Sequence, residues 1–248
     1  MILRMSLLET RYMFVSLFRL PHYSMGTIGF PVMFYLLFGL SFGNRDGAVK
    51  ASEYLLAGYA IFGMITAALF AFGAGVANER ASGWLLLKLA APLPSGVYLT
   101  AKIVTCMAFG LIILALLGAM GVTMGGVAFG LGQWMRLAIV VAFGCIPFCL
   151  IGLTVGCIVP PSGAPGIMNL INLPLAFAGG LWMPHEMLPK VLQAIGPFVP
   201  QHHAGRLALI ATGLLKESAF PHVAALALYA GVFGVLAAIA YRRATREA

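Results

Sequence analysis

Few side chains in this chain have types and spacings that could do chemistry. Cys145 and Cys149 lie four apart and share a helix face, but no His, Asp or Glu lies near them in sequence to complete a metal site. With Cys106 and Cys157 they fall inside apolar runs, where a thiol behaves as a small apolar group and says nothing about redox compartment. His202 and His203 are adjacent, so on a helix they point about 100° apart and do not make a ligand pair by themselves. They, His22, His185 and His222 all sit near the ends of apolar runs and read as structural histidines at an interface. Asn169 and Asn172 are three apart, hence on one helix face, with Pro174 just beyond to loosen the backbone. They can hydrogen-bond across a helix interface or line a substrate path. Two uncharged amides offer weak specificity for a substrate, which weighs toward the interface. No metal site and no catalytic residue is expected.

What is missing narrows the classes further. No G-x-x-x-x-G-K-[ST] sequence occurs, so the chain has no phosphate-cradling loop of that kind and must draw any ATP-derived energy from a partner. Glu9, Asp46, Glu53, Glu79, Glu186, Glu217 and Glu247 lie at or beyond the ends of apolar runs. A proton-coupled carrier needs a titratable group within the membrane, and a membrane phosphotransferase needs acidic metal ligands, so both are disfavoured. Gly152 and Gly156 make a G-x-x-x-G, but among 30 glycines such a spacing arises by chance.

The elements that hold these residues are set by composition. With 61% hydrophobic and 9% charged residues and a mean hydropathy of +0.99, the chain is an all-α integral membrane protein. Its charge-free runs, about 22–42, 54–78, 103–123, 137–159, 166–183 and 219–241, predict six transmembrane helices in one domain over 1–248. With both termini inside, nine basic residues face the cytoplasm and six lie outside, two of these in a long loop where the positive-inside rule is weak. The net charge of +8 is scattered at the edges of apolar runs, which fits an anionic membrane surface and not nucleic acid. Arg4, Arg11 and Arg19 fall within about 80° of one another on a helix. They predict an interfacial helix over 1–21, anchored by its arginines, with Phe14, Leu17 and Phe18 dipping inward. Residues 160–166, PPSGAPG, make a tight cytoplasmic turn, and the prolines of 184–218 cut that stretch into broken outer helices too short to span.

Residues 77–94, ANERASGWLLLKLAAPLP, are the odd loop. The topology makes 79–94 cytoplasmic, yet it is apolar around much of a short helix stopped by Pro92 and Pro94. Such a helix wants burial; it is too short and too charged at Glu79, Arg80 and Lys88 to insert, so a groove on another protein suits it, with the lipid surface as the alternative.

At these residues the sequence resembles the membrane subunits of ABC type-2 exporters. Glu79-Arg80-x-x-Gly83-Trp84-Leu85 through Pro92-x-Pro94 is similar to the family's E-R-x-x-G-T-L…P coupling helix. Gly179-Gly180-Leu181-Trp182-Met183-Pro184, Leu188-Pro189 and Gly196-Pro197-Phe198-x-Pro200 look like its fifth-span end and outer helices. The chain departs from the pattern at Trp84, where the family often has Thr, and at Ala91, where Thr frequently precedes the proline. The resemblance implies a permease in which two six-span subunits, two copies or this chain and a related permease, pair around a path. Each would dock a cytoplasmic P-loop ATPase through Glu79, Arg80, Gly83, Trp84, Leu85 and Lys88. Residues 186–203, with Trp182, Pro184, Pro197 and Pro200, would form an outer gate. ATP and Mg would be bound by the partner, so this chain carries no cofactor and is not an enzyme. The expected home is the bacterial inner membrane, with lipids as neighbours and no nucleic acid. Amphiphilic or lipid-like cargo such as drugs, lipopeptides or glycolipids suits such spans. A membrane channel or assembly factor without an ATPase is the competing class.

Overall fold

In hydrocarbon a backbone satisfies its own amides only as helix or closed barrel. The computed structural model, which describes residues 2–39, 51–84, 87 and 95–246, is helical, with no strand among the described residues. In chain order the helices are α1 (Ile2–Phe18), α2 (residues 21–39), α3 (Ala51–Ala81), α4 (Ser95–Thr123), α5 (Leu131–Ile158), α6 (Ala164–Ala178), α7 (Lys190–Ile195), α8 (Pro200–Thr212) and α9 (Phe220–Arg246). α2 alternates α-helical turns with π-helical turns at Met25–Gly29 and Tyr35–Gly39, and α3 carries a π-helical turn at Phe70–Ala74.

Four helices are long and apolar enough to cross a membrane: Ala51–Ala81, Gly96–Thr123, Leu131–Ile158 and Phe220–Ala244. The runs expected over 22–42 and 166–183 form the shorter apolar helices Met25–Gly39 and Ala164–Ala178. The second stops where Gly180, at φ 77, reverses the chain; the far end of the first lies outside the described residues. α4 and α5 start earlier than their charge-free runs, at Ser95 and Leu131, because a cation ends a span only when it needs water. Lys102 is met inside the protein by Glu79, and Arg136 Nε donates to the Ala211 carbonyl at 3.0 Å.

α3 is the central helix, with every residue from Leu55 to Leu69 buried. Its neighbours alternate in direction. Ser52 Oγ at its start donates to Gly125 O beyond the end of α4 at 2.9 Å, while Glu79 at its other end meets the first turns of α4. α5 runs back, from Gln133, which donates to Thr212 O, to a C-terminus beside Arg80. The Pro160–Gly163 turn into α6 is closed by Gly163 N and Ala164 N donating to Pro160 O, each at 3.1 Å. After α6, prolines divide residues 184–212 into the 3-10 turns His185–Met187 and Gly196–Phe198 and the short helices α7 and α8.

The Gly152/Gly156 spacing is a close helix crossing, contrary to its reading as chance. A Cβ on Gly152 would lie 3.0 Å from Phe72 Cβ and 3.2 Å from Gly73 N; one on Gly156 would lie 2.5 Å from both the Phe72 and Gly73 carbonyl oxygens. Two backbones touch there, which only small residues permit. Gly156→Leu should therefore destabilise the chain by about 2–3 kcal/mol, whereas Gly231→Leu, where an added Cβ meets nothing within 4 Å, should leave thermal unfolding in detergent nearly unchanged. Equal melting of the two variants would contradict the crossing.

Candidate functional site

The last turns of α3 carry a polar junction with the start of α4 and the end of α5. Lys102 Nζ donates to Glu79 Oε1 at 2.9 Å and to Tyr98 OH at 2.8 Å, and Tyr98 OH in turn donates to Glu79 Oε2. The lysine side chain is 3% exposed and the glutamate 29%, so a nearly buried cation is held by a carboxylate that keeps one side toward solvent. The ammonium also lies 5.6 Å from the centre of the Phe72 ring. Arg80 points the other way. Its Nη1 donates to Cys157 O and its Nη2 to Val159 O at 2.9 Å, supplying donors and positive charge where the last carbonyls of α5 have neither. Two consecutive residues thus fasten three helix ends.

Immediately after them the chain turns. Ser82 closes α3 with its N–H on Asn78 O at 3.0 Å, and Gly83, at φ 73, takes the left-handed conformation that a side chain disfavours. Trp84 then stands 58% exposed and Leu87 64% exposed. The motif divides accordingly: Glu79 and Arg80 face inward, Gly83 reverses the backbone, and Trp84 faces out. Leu85, Lys88, Pro92 and Pro94 lie outside the described residues.

The opposite end is built around the reversal after α6. Tyr54 OH donates to Gly180 O at 2.5 Å and Met183 O at 3.1 Å, which pins the loop carrying Trp182 to the start of α3. The Trp182 ring stacks on Phe34 at 5.6 Å and meets Phe62 edge-on at 5.4 Å. Pro184 precedes the 3-10 turn at His185, Pro197 lies in the second such turn, and Pro200 opens α8 at its first position, where proline costs no hydrogen bond.

These short pieces bring together four histidines that their sequence spacing kept apart. The His185 and His202 rings lie 4.8 Å apart, and His203 Nδ1 sits 3.0 Å from His222 Nδ1. His203 Nε2 faces the Pro197 carbonyl at 3.0 Å and must donate to it, so a neutral His203 accepts at Nδ1 and His222 donates. Burial, then the positive neighbours, pushes His202 down to about 3; burial also lowers His203. Arg206 lies between Glu186 at 3.8 Å and Glu217 at 3.6 Å. No spacing rule would have found this group, because it depends on how the proline-cut segments fold back.

Asn169 and Asn172 line one cavity of about 250 Å³ between α2, α3 and α6. Asn172 Nδ2 donates to Thr66 Oγ1 at 2.9 Å, a cross-helix bond, while its buried Oδ1 has no hydrogen-bond partner. Arg4, Arg11 and Arg19 are exposed along and just beyond α1, which rests on α4 through Phe14, 5.2 Å from Phe109. Leu17 packs against the core, and Phe18 is exposed and stacks on Phe14 at 5.9 Å.

Against known proteins, residues 7–211 match the model of the family described as ABC-2 type transporter. The chain is also 27% identical over 177 residues to "Putative transport permease YvfS" of Bacillus subtilis (strain 168), covering 71% of this chain and 72% of that protein.

Removing Lys102 should leave the Glu79 carboxylate without its buried cation. Lys102→Met is expected to cost about 3 kcal/mol, read as a fall in the thermal midpoint, and adding Glu79→Gln should restore part of it. No recovery in the double variant would show that the pair is not coupled. For the histidines, a folded-state value below the unfolded one means that stability is complete above about pH 6.5 and is lost as pH falls, since the unfolded chain then binds protons that the folded one refuses. At pH 5 the loss from His202 should be about 1–2 kcal/mol, and His202→Gln should flatten the fall between pH 7 and 5; an unchanged slope would contradict it.

Proposed function

The chain belongs to the ABC-2 type transporter family and is the membrane subunit of a transporter, not an enzyme; from that premise we propose that it is a six-span permease moving an amphiphilic or lipid-like substrate out of the cell under the power of a separate ATPase. The observation that carries this reading is the junction at the end of α3. Glu79 and Arg80 grip α4 and α5, and the exposed Trp84 follows directly beyond the Gly83 reversal. A partner that pushes on Trp84 and the segment after it pushes on three helix ends at once, and force passes between proteins through such packed contacts.

In this reading the partner is a cytoplasmic P-loop ATPase that binds ATP and Mg; the coupling helix expected over 79–94 starts only beyond the Gly83 reversal, including Leu85 and Lys88, because Glu79 and Arg80 belong to the end of α3 and tether it. Helices 25–39 and 164–178 complete six spans, which places both termini in the cytoplasm of a bacterial inner membrane. A second copy or a related permease supplies the other half of the path. Asn169 and Asn172 lie along that path, and Trp182, Pro184, Pro197 and Pro200 belong to its outer gate. Arg4, Arg11 and Arg19 anchor α1 among lipid headgroups.

The test is co-purification in mild detergent. A stoichiometric P-loop ATPase should accompany the chain, and Trp84→Asp, on an exposed side chain, should cut its recovery by about tenfold or more without lowering thermal stability. Repeated absence of any ATPase with the unaltered chain would overturn the proposal in favour of an ATPase-independent channel or assembly factor.

A further inference from the structure

Three polar contacts converge on two rings where α8 meets α9. His203 Nε2 faces the Pro197 carbonyl at 3.0 Å, His203 Nδ1 faces His222 Nδ1 at 3.0 Å, and His222 Nε2 lies 3.6 Å from Glu217 Oε2. The pair therefore ties together the Gly196–Phe198 turn, α8, the first turn of α9 and the loop before it. Also facing it are His202, whose ring lies 5.6 Å from that of His203 and 6.3 Å from that of His222, and Arg206, which shares Glu217 at 3.6 Å and reaches Glu186 at 3.8 Å. His222 is buried and His203 half-buried, so a proton reaches the pair through His203.

The contacts fix how many protons the pair can hold. A carbonyl oxygen only accepts, so His203 Nε2 keeps its hydrogen in every state. Between two nitrogens 3.0 Å apart there is room for one hydrogen, because one donates and the other must offer its lone pair. With both rings neutral, His222 donates and His203 accepts. One added proton is accommodated at His222 Nε2, where it faces the Glu217 carboxylate. A second added proton fills the lone pair of His203 Nδ1. Two N–H groups then point at each other, two cations stand in contact, and the carboxylate beside them is already shared with Arg206. Burial, which lowers His203, acts in the same direction.

We propose that the His203–His222 pair is an acid-sensitive latch: it holds the Pro197 turn and α8 against α9 while it carries no more than one added proton, and lets go on taking the second. The pair titrates as a unit, so neither ring alone sets the release point. Tyr229 OH, donating to Phe198 O at 2.6 Å, is a separate tie on the same turn, so the latch opens without freeing the turn entirely. The closed state refuses the second proton; its stability is therefore complete above about pH 6.5, the ordinary histidine value, and is lost as pH falls below it. Only the consequence for transport rests on the reading above, in which this turn belongs to the outer gate and acid outside the cell would loosen it.

The experiment uses the full chain in amphipol with EDTA, and compares it with His203→Gln, His222→Gln and the double variant at about pH 7.5 and about pH 4.5, on either side of the ordinary histidine value. A glutamine amide carries a donor and an acceptor that do not titrate, so it can turn to meet the remaining ring in either charge state. The thermal midpoint of the unaltered chain should fall between the two conditions by about 4 °C more than that of either single variant, and the double variant should differ little from the singles. The contribution of His202 is common to all four chains and cancels. Amide exchange over residues 197–206, corrected for its intrinsic pH dependence, should speed up by about tenfold or more in the unaltered chain at the lower pH and not in His203→Gln. Equal falls in all four chains, or single effects that add up to the double one, would overturn the latch, since independent rings add. So would zinc(II) in place of EDTA, if it raised the midpoint of the unaltered chain but not of His203→Gln, for the rings would then hold a metal. If the glutamine variants fail to fold, nitrogen-15 histidine spectra of the unaltered chain decide: two rings titrating together, with the second step well below about pH 6.5, support the latch, and two independent titrations near that value overturn it. No ATPase enters these measurements, so their failure leaves the coupling reading standing, and failure to recover an ATPase leaves the latch standing.

Discussion

Everything in this protein hangs on how closely other helices approach α3. Its apolar circumference leaves no polar stripe to face water, and the residues that permit contact are small: Gly73 lies against the Gly152/Gly156 face of α5, and Gly63 against Ile113 of α4 and Pro31 of α2. In a membrane the attraction between helices comes from packing and from polar contacts, because lipid is as apolar as leucine. Close backbone approach supplies the packing. The junction at Glu79 and Arg80 supplies the polar contacts, placed at one end of the helix where water limits the cost of charge.

That division explains why the two ends look different. At the end near Glu79 the cations are satisfied by fixed groups, a carboxylate, a phenol and two carbonyls. At the end near Tyr54 the polar groups meet one another imperfectly. Arg206 reaches its carboxylates at 3.6–3.8 Å, and several ring nitrogens and an indole N–H face no acceptor.

Much of this was legible in the residues. Long apolar runs marked the helices and the prolines of 184–218 marked the fragmentation, but the helix expected to begin at Glu79 was misplaced: Glu79 and Arg80 continue α3, and the break falls at Gly83. Helix starts were misplaced at Lys102 and Arg136, because hydropathy treats every charge as wet and cannot see a partner in another segment. The Gly152/Gly156 crossing could not be told from chance, since its meaning lies in Gly73, some eighty residues away in sequence and touching in space. The histidine group was invisible for the same reason: periodicity reports on one helix face, and these rings come from separate short elements.

One helix joins the two ends. Glu79 is six residues from the Gly73 crossing and Tyr54 is nineteen on the other side, so at a rise of about 1.5 Å per residue the arms are roughly 9 Å and 28 Å. Tilting α3 about its tightest contact with α5 makes it a lever of unequal arms, in which a shift at the short arm is magnified about threefold at the long one. The long arm is the one bonded through Tyr54 to the Trp182 loop. The π-helical turn at Phe70–Ala74 sits on the fulcrum, where an irregular turn can change pitch without breaking the rod.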